Sequence, residues 1–88
     1  MNILIVDDEV DTHLLYKLKF KKLVSAFDNV QLHFYLAAED CLIYLEENQN
    51  DVSLILSDIN MPGMDGFELL SHVKELRSDI PVYIVSAY

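Results

Sequence analysis

Short apolar runs recur along the chain, separated by longer stretches that mix apolar and polar residues. The runs Asn2–Val6, Val52–Ser57 and Val82–Val85 are mainly apolar, which is typical of strands buried on both faces of a parallel sheet. Residues Val30–Leu36 instead alternate apolar with polar side chains, as expected for a half-exposed edge strand. The pattern therefore predicts four strands.

The stretches between these strands have the spacing of helices. The first helix is predicted from Glu9 to about Phe27, because the stretch lacks Gly and Pro and its acidic residues precede its lysines. Two more helices are predicted from Ala38 to about Asn48 and from about Gly66 to Arg77, the latter with Asp65 as its N-cap. The order βαβαβαβ predicts a parallel α/β sheet with right-handed crossovers.

The apolar faces of the helices give the expected core. The stripe of the first helix assigned to the sheet consists of Tyr16, Phe20, Leu23 and Phe27. A second stripe on another side of this helix needs a further partner and consists of Val10, Leu14 and Leu18. The third helix is expected to bury Phe67, Leu70, Val73 and Leu76, and the second to bury Cys41. The three histidines, His13, His33 and His72, are expected to be polar surface residues.

Composition narrows the possible functions. A chain of 88 residues makes one small domain, and its 15 acidic against 6 basic residues argue against nucleic acid as a direct ligand. The same charge of −9 leaves room for bound divalent cations. The single cysteine excludes an intrachain disulfide and fits a reducing, cytoplasmic setting. The apolar runs are too short to span a membrane, and Met1–Ile3 does not begin a signal peptide.

Acidic residues follow the first and third predicted strands. Asp7 and Asp8 come directly after the first strand and Asp58 after the third, so a parallel sheet brings them to one edge. Two carboxylates about 4 Å apart repel by roughly 4 kcal/mol at an effective dielectric constant near 20, which predicts a raised, coupled titration. Oxygen ligands of this kind suit Mg²⁺ or Mn²⁺, and the backbone carbonyl of Asn60 would add another.

Asp58 lies where a carboxylate can act as a nucleophile. At the end of its strand it is placed to attack phosphorus, as carboxylates do in aspartyl-phosphate chemistry. Ser86 follows the fourth predicted strand at the same edge, so its hydroxyl is expected to hydrogen-bond a phosphoryl oxygen.

Three stretches, Ile3–Glu9, Leu54–Gly66 and Ile80–Ala87, together resemble the receiver domain of bacterial response regulators. The resemblance implies a flavodoxin-like sheet of strand order 2-1-3-4. It also implies that Asp58 is the phosphoacceptor, and that Ser86 is a switch hydroxyl. The implied metal ligands are Asp7, Asp8, Asp58 and the carbonyl of Asn60. A histidine kinase or phosphotransfer protein would be the partner, and the domain would assist its own phosphorylation rather than act as a conventional enzyme.

The chain ends at Tyr88, before the last helix, strand and helix that such domains carry. We therefore expect residues 1–88 to form one shortened receiver domain, without a counterpart of the family's phosphoryl-binding lysine. Its fourth strand would be an open edge, so we expect a homo-oligomer formed through Val82–Val85 or through the first helix.

Two alternatives to phosphotransfer signalling remain open at this point. One is a non-signalling module that keeps the fold and acts by oligomerisation or protein binding. The other is a flavodoxin-like cofactor binder, which the absence of a Gly- and Ser-rich phosphate-binding loop opposes.

Overall fold

Parallel strands form a single sheet in the computed structural model of the protein, which describes residues 1–27, 29–48 and 50–85. Within these residues the elements follow the predicted βα alternation. In chain order they are β1 (Asn2–Val6), α1 (Val10–Lys19), α2 (Lys21–Ala26), β2 (Gln31–Tyr35), α3 (Ala38–Glu47), β3 (Val52–Asp58), α4 (Gly66–Leu76) and β4 (Val82–Val85). The strand order is β2-β1-β3-β4, which confirms the predicted flavodoxin-like fold.

The central strand β1 pairs with β2 on one side and with β3 on the other, both in parallel. Its last residue, Val6, lies opposite Tyr35 of β2 and Ser57 of β3. The residues that follow β1 and the end of β3 therefore meet at one edge of the sheet. This register is what brings the acidic residues together.

Side chains of β1 alternate between two helical layers. Leu4 and Val6 point to the face covered by α3 and α4, which we call the closed face; its core includes Cys41, Leu45, Ile55, Leu69 and Val73, all fully buried. Ile3 and Ile5 point to the face covered by α1 and α2, which we call the open face. There Leu54 and Leu56 are only half-buried, because the helices cover just part of the sheet.

The predicted first helix is divided at Phe20. The backbone of Phe20 departs from helical geometry (φ −94°, ψ 4°), although its N–H still donates to the Tyr16 carbonyl at 2.9 Å. Tyr16, Phe20 and Leu23 pack on the open face as predicted. Phe27 does not: helix α2 ends at Ala26, the chain becomes extended, and the Phe27 side chain is 54% exposed. The second predicted stripe, Val10, Leu14 and Leu18, is exposed.

The buried face of α4 agrees with the prediction only in part. Val73 is buried and Leu76 packs against the closed-face core, both as predicted. Gly66 and Leu69 are buried instead of Phe67, which is 56% exposed, and Leu70, which is half-buried. Asp65 caps the helix as predicted, since its carboxylate accepts the Glu68 N–H at 2.9 Å and the two residues form a capping box. The cap fixes the start of the helix, and with it the side that faces the sheet.

Smaller corrections follow from where elements end. Leu36 is exposed because β2 ends at Tyr35. His33 is half-buried rather than on the surface, with its ring 5.0 Å from that of Tyr44. His72 is exposed and Cys41 buried, both as predicted, and burial raises the pKa of the Cys41 thiol to about 12. Among the described residues, every helix falls short of the length and apolar character needed to span a bilayer.

Candidate metal centre

Three carboxylates converge at one edge of the sheet, as predicted from the sequence. Asp7, Asp8 and Asp58 each offer an oxygen, and these oxygens all lie within 4.8 Å of one another. Asp7 is buried, Asp8 is exposed and Asp58 is half-buried, so the cluster opens to solvent on one side. An oxygen-only set with several negative charges fits a hard divalent cation such as Mg²⁺ or Mn²⁺.

Backbone N–H groups hold two of these carboxylates in place. Oδ1 of Asp7 accepts the Glu9 N–H at 2.9 Å, and Oδ1 of Asp58 accepts the Ile59 N–H at 2.9 Å. No donor in the described ranges contacts the Oδ2 atom of either residue. Each carboxylate is therefore oriented through one oxygen, and its other oxygen accepts no hydrogen bond from the described residues.

The electrostatics of Asp7 follow from this crowding. Burial raises the pKa of its carboxyl above the ordinary value, the hydrogen bond from Glu9 lowers it, and the charges of Asp58 and Asp8 raise it again. The net effect is a raised pKa, in the direction that the sequence predicted for clustered acids. A bound cation would remove the repulsion that causes part of this shift.

The loop after β3 is tied closely to Asp58 by Gly66. A Cβ atom on Gly66 would lie 2.3 Å from the Asp58 carbonyl oxygen, and the Gly66 N–H donates to the Ile59 carbonyl at 2.9 Å. Gly63 turns the loop with a positive φ of 76°. These contacts leave Asn60 exposed beside the acids. No role for Gly66 was predicted, because its close contact is with a residue eight positions earlier in the sequence.

His13 supports Asp7 from the open face. It is only 8% exposed, so its prediction as a surface residue was wrong. Its Nε2 lies 2.8 Å from the Asp7 carbonyl oxygen; since a carbonyl only accepts, Nε2 carries the proton and donates. The ring also packs at 5.2 Å from that of Phe34. His13 therefore fixes the backbone of the first acidic residue to the layer formed by α1.

An open cavity of about 640 Å³ extends from the carboxylates along α1. Besides the acids and Asn60, it is lined by Glu9, Thr12, Leu15, Tyr16, Lys19 and Val85. The Tyr16 hydroxyl has a raised pKa, first because of burial and then because of the charges of Asp7 and Asp58. The sequence did not predict that Tyr16 and Lys19 line this cavity, because Tyr16 was assigned to the core and Lys19 to the solvent-exposed side of the helix. Ser86 lies outside the described residues.

Comparison with known proteins identifies the family over nearly the whole chain. The family model for the response regulator receiver domain matches residues 3–88. The two-component response regulator ARR14 of Arabidopsis thaliana is 37% identical over 98% of this chain and 21% of its own length. The two-component response regulator ORR21 of Oryza sativa subsp. japonica is 39% identical over 99% of this chain and 12% of its own length. The chain thus spans only a minor part of these relatives.

Solved structures share the fold. CheY of Borrelia burgdorferi, in a CheX–CheY–BeF3–Mg²⁺ complex, has a TM-score of 0.79 at 30% identity and covers 100% of this chain, which spans 63% of its length. A two-component transcriptional regulator of Clostridium phytofermentans has a TM-score of 0.77 at 31% identity, with 100% of this chain and 68% of the neighbour aligned. This chain belongs to the family of response-regulator receiver domains, which act in two-component systems.

Proposed function

We propose that Asp58 accepts a phosphoryl group in a reaction that requires Mg²⁺ or Mn²⁺. The observation that carries the proposal is the cluster of Asp7, Asp8 and Asp58, with ligand oxygens within 4.8 Å of one another. Asp7, Asp8, Asp58 and the backbone carbonyl of Asn60 would hold the cation. When bound, the cation would neutralise the carboxylates and the incoming phosphoryl oxygens.

Asp58 itself acts as the nucleophile. Its Oδ1 is held by the Ile59 N–H, which leaves Oδ2 to attack phosphorus. In that step the Oδ2–P bond forms and the P–N bond of a phosphohistidine breaks, with its electron pair returning to the imidazole nitrogen. The product is an acyl phosphate on Asp58 and a free histidine on the donor.

Ser86 and Lys19 would stabilise the phosphoryl group after transfer. Ser86, which follows the cavity-lining Val85, would donate its hydroxyl to a phosphoryl oxygen. Lys19 lines the same cavity and is a cation in an otherwise acidic site. It would attract an anionic donor even though it does not occupy the position of the family's lysine.

The phosphoryl donor would be a histidine kinase or a phosphotransfer protein. Membership of a two-component family supports a donor of this class. The similar CheY of Borrelia burgdorferi was solved in complex with CheX, BeF3 and Mg²⁺, which supports both a protein partner and a divalent cation at such a site.

Incubation with acetyl phosphate and Mg²⁺, followed by intact mass spectrometry, tests the acceptor. We expect one phosphoryl adduct on the protein, none after addition of a chelator, and none on Asp58→Asn. The matched control is Asp51→Asn, which removes an exposed carboxylate far from the cluster and should leave the adduct unchanged. An adduct of equal yield on Asp58→Asn would exclude Asp58 as the acceptor.

We also propose that the protein self-associates through the β4 edge or the exposed stripe of α1. Tyr83 is 60% exposed and Val85 38% exposed, and β4 has no second strand partner among the described residues. Apolar strand edges of this kind pair with other chains. Sedimentation equilibrium should show a dimer or larger species that Tyr83→Lys reduces. A well-folded monomer at micromolar concentration would contradict the proposal.

A further inference from the structure

A second concave surface lies away from the acidic cavity, against the outer edge of β2. It is a groove of about 540 Å³, which we call the β2 groove. One wall comes from the helices and consists of Lys17, Lys21, Val24 and Ser25; the other is residues 30–34. It shares no lining residue with the acidic cavity. The phosphotransfer chemistry therefore makes no use of it.

The strand that forms this wall has an unpaired side. Within β2, the Gln31 N–H donates to the Met1 carbonyl and the Tyr35 carbonyl accepts the Asp7 N–H, so these residues face β1. In a parallel strand the intervening residues point their N–H and C=O groups the opposite way. Leu32 and Phe34 consequently direct both groups to the groove side, where the described chain supplies no strand partner.

Two lysines give the groove a charge opposite to that of the whole protein. The chain carries a net charge of −9 with only 6 basic residues, yet Lys17 and Lys21 both line this one surface. The Lys17 ammonium is held at the groove, since Nζ lies 5.2 Å from the centroid of the Phe34 ring. No carboxylate of the described residues forms an ion pair with either lysine.

Both lysines lie on the helical wall of the groove, Lys17 on α1 and Lys21 at the start of α2. Alternate side chains of an extended strand point to one face and lie about 6.6 Å apart. Carboxylates at alternate positions of a strand added beside β2 would therefore face the wall that carries both lysines. Helices α1 and α2 lead from the end of β1 back to the start of β2. Val24 therefore lies beyond the two lysines, toward Val30, and an apolar side chain of the bound segment would pack there.

We propose that the β2 groove binds an extended, acidic segment of a partner protein, which joins the sheet as an additional strand next to β2. Backbone hydrogen bonds to Leu32 and Phe34 supply affinity, and the groove-side carboxylates and apolar residues supply specificity. A second copy of this chain is a poor occupant, because its two edge strands, β2 and β4, carry no carboxylate that could meet the lysines of the groove.

The test uses a short blocked peptide as the probe. Threonine occupies every second position of the peptide. The positions between the threonines, whose side chains share the other face, carry two glutamates and then two valines. Titration into the ¹⁵N-labelled protein should shift the amides of Leu32 and Phe34 and slow their hydrogen exchange. Lys21→Glu should weaken binding roughly tenfold. A peptide with lysine in place of both glutamates should not bind.

The matched control is Lys22→Glu, which makes the same charge change at the next residue but does not line the groove. It should alter affinity less than about twofold, apart from general screening effects. Circular dichroism of each variant checks that the fold is retained; Lys21→Glu is preferred to a change at Lys17, whose side chain contacts Phe34.

Several results would overturn the proposal. Equal weakening by Lys22→Glu would mean that the peptide responds to overall charge. Amide shifts confined to β4 would place the added strand at the other edge. Sedimentation in which Lys21→Glu dissociates a dimer of the free protein would assign the groove to a second copy.

Discussion

Side chains are buried to very different extents on the closed and open faces of the sheet. On the closed face Leu45, Ile55, Leu69 and Val73 are fully buried. On the open face the buried hydrophobic residues in the described part of the chain are Ile3, Ile5 and Val30, and the hydrophobic residues packed around them are partly exposed. Each face nevertheless supports one side of the candidate metal centre, through Gly66 against Asp58 and through His13 against Asp7. Burial is therefore concentrated on the closed face, whereas both faces contribute to the geometry of the site.

The largest expected effect tests the closed face. Leu69→Ala removes a fully buried side chain and should lower the free energy of unfolding by about 2–5 kcal/mol. Leu23→Ala is the counterpart on the open face; because Leu23 is only half-buried, it should cost about 1–2 kcal/mol. Urea unfolding followed by circular dichroism measures both. Equal losses would break the distinction between the faces.

Gly66→Ala tests the closed-face support of the acceptor. A Cβ atom at 2.3 Å from the Asp58 carbonyl oxygen forces the backbone apart, which should cost about 1–3 kcal/mol. The displacement should also slow phosphorylation by acetyl phosphate, measured by intact mass in conditions where the variant is folded. Wild-type rate and stability would show that the loop yields without moving Asp58.

His13→Ala tests the open-face support of Asp7. The change removes a buried hydrogen bond and leaves the Asp7 carbonyl without that donor, so about 1–2 kcal/mol of stability should be lost. Affinity for Mn²⁺, followed by electron paramagnetic resonance, should fall as well. His72→Ala is the control, since His72 is exposed on α4 and should change neither quantity. Unchanged Mn²⁺ affinity in folded His13→Ala would limit this histidine to packing.

The smallest expected effect is on how the stability of the metal-free protein depends on pH. The pKa of Asp7 is raised in the folded protein, so the native state binds a proton more tightly than the unfolded chain. Stability without metal should therefore decline as pH rises from the unfolded value of 3.8 through the raised folded value. Asp7→Asn should stabilise the metal-free protein slightly at neutral pH and not below pH 3.8. A destabilised Asp7→Asn at neutral pH would contradict the assignment of the raised pKa to burial and to the charges of Asp58 and Asp8.

Much of the fold could be predicted because its determinants are local. The bounds of β1 and β4 agree with the prediction, and the Asp65 cap of α4 is confirmed. Parallel pairing of β1 with β3 then brings Asp7 and Asp58 to the same edge. These features depend on periodicity, on capping chemistry and on the rule that consecutive parallel strands end together.

The errors lie where a residue's environment depends on a distant segment. His13 and Phe67 were assigned wrongly, because helical spacing alone does not fix which side of a helix meets the sheet. Phe27 was assigned wrongly because α2 ends one residue before it. The break at Phe20 was not predicted either, although its side chain packs on the open face as expected.

Sequence pattern alone accounts for the order of the elements, the parallel sheet and the three carboxylates at its edge, because these follow from periods of two and 3.6 and from chain connectivity. Three-dimensional packing sets how the carboxylates are held, which cations approach them, and what the two edges of the sheet offer to other molecules. Those properties arise from contacts between segments far apart in the chain, such as His13 with Phe34 and Lys17 with the same ring.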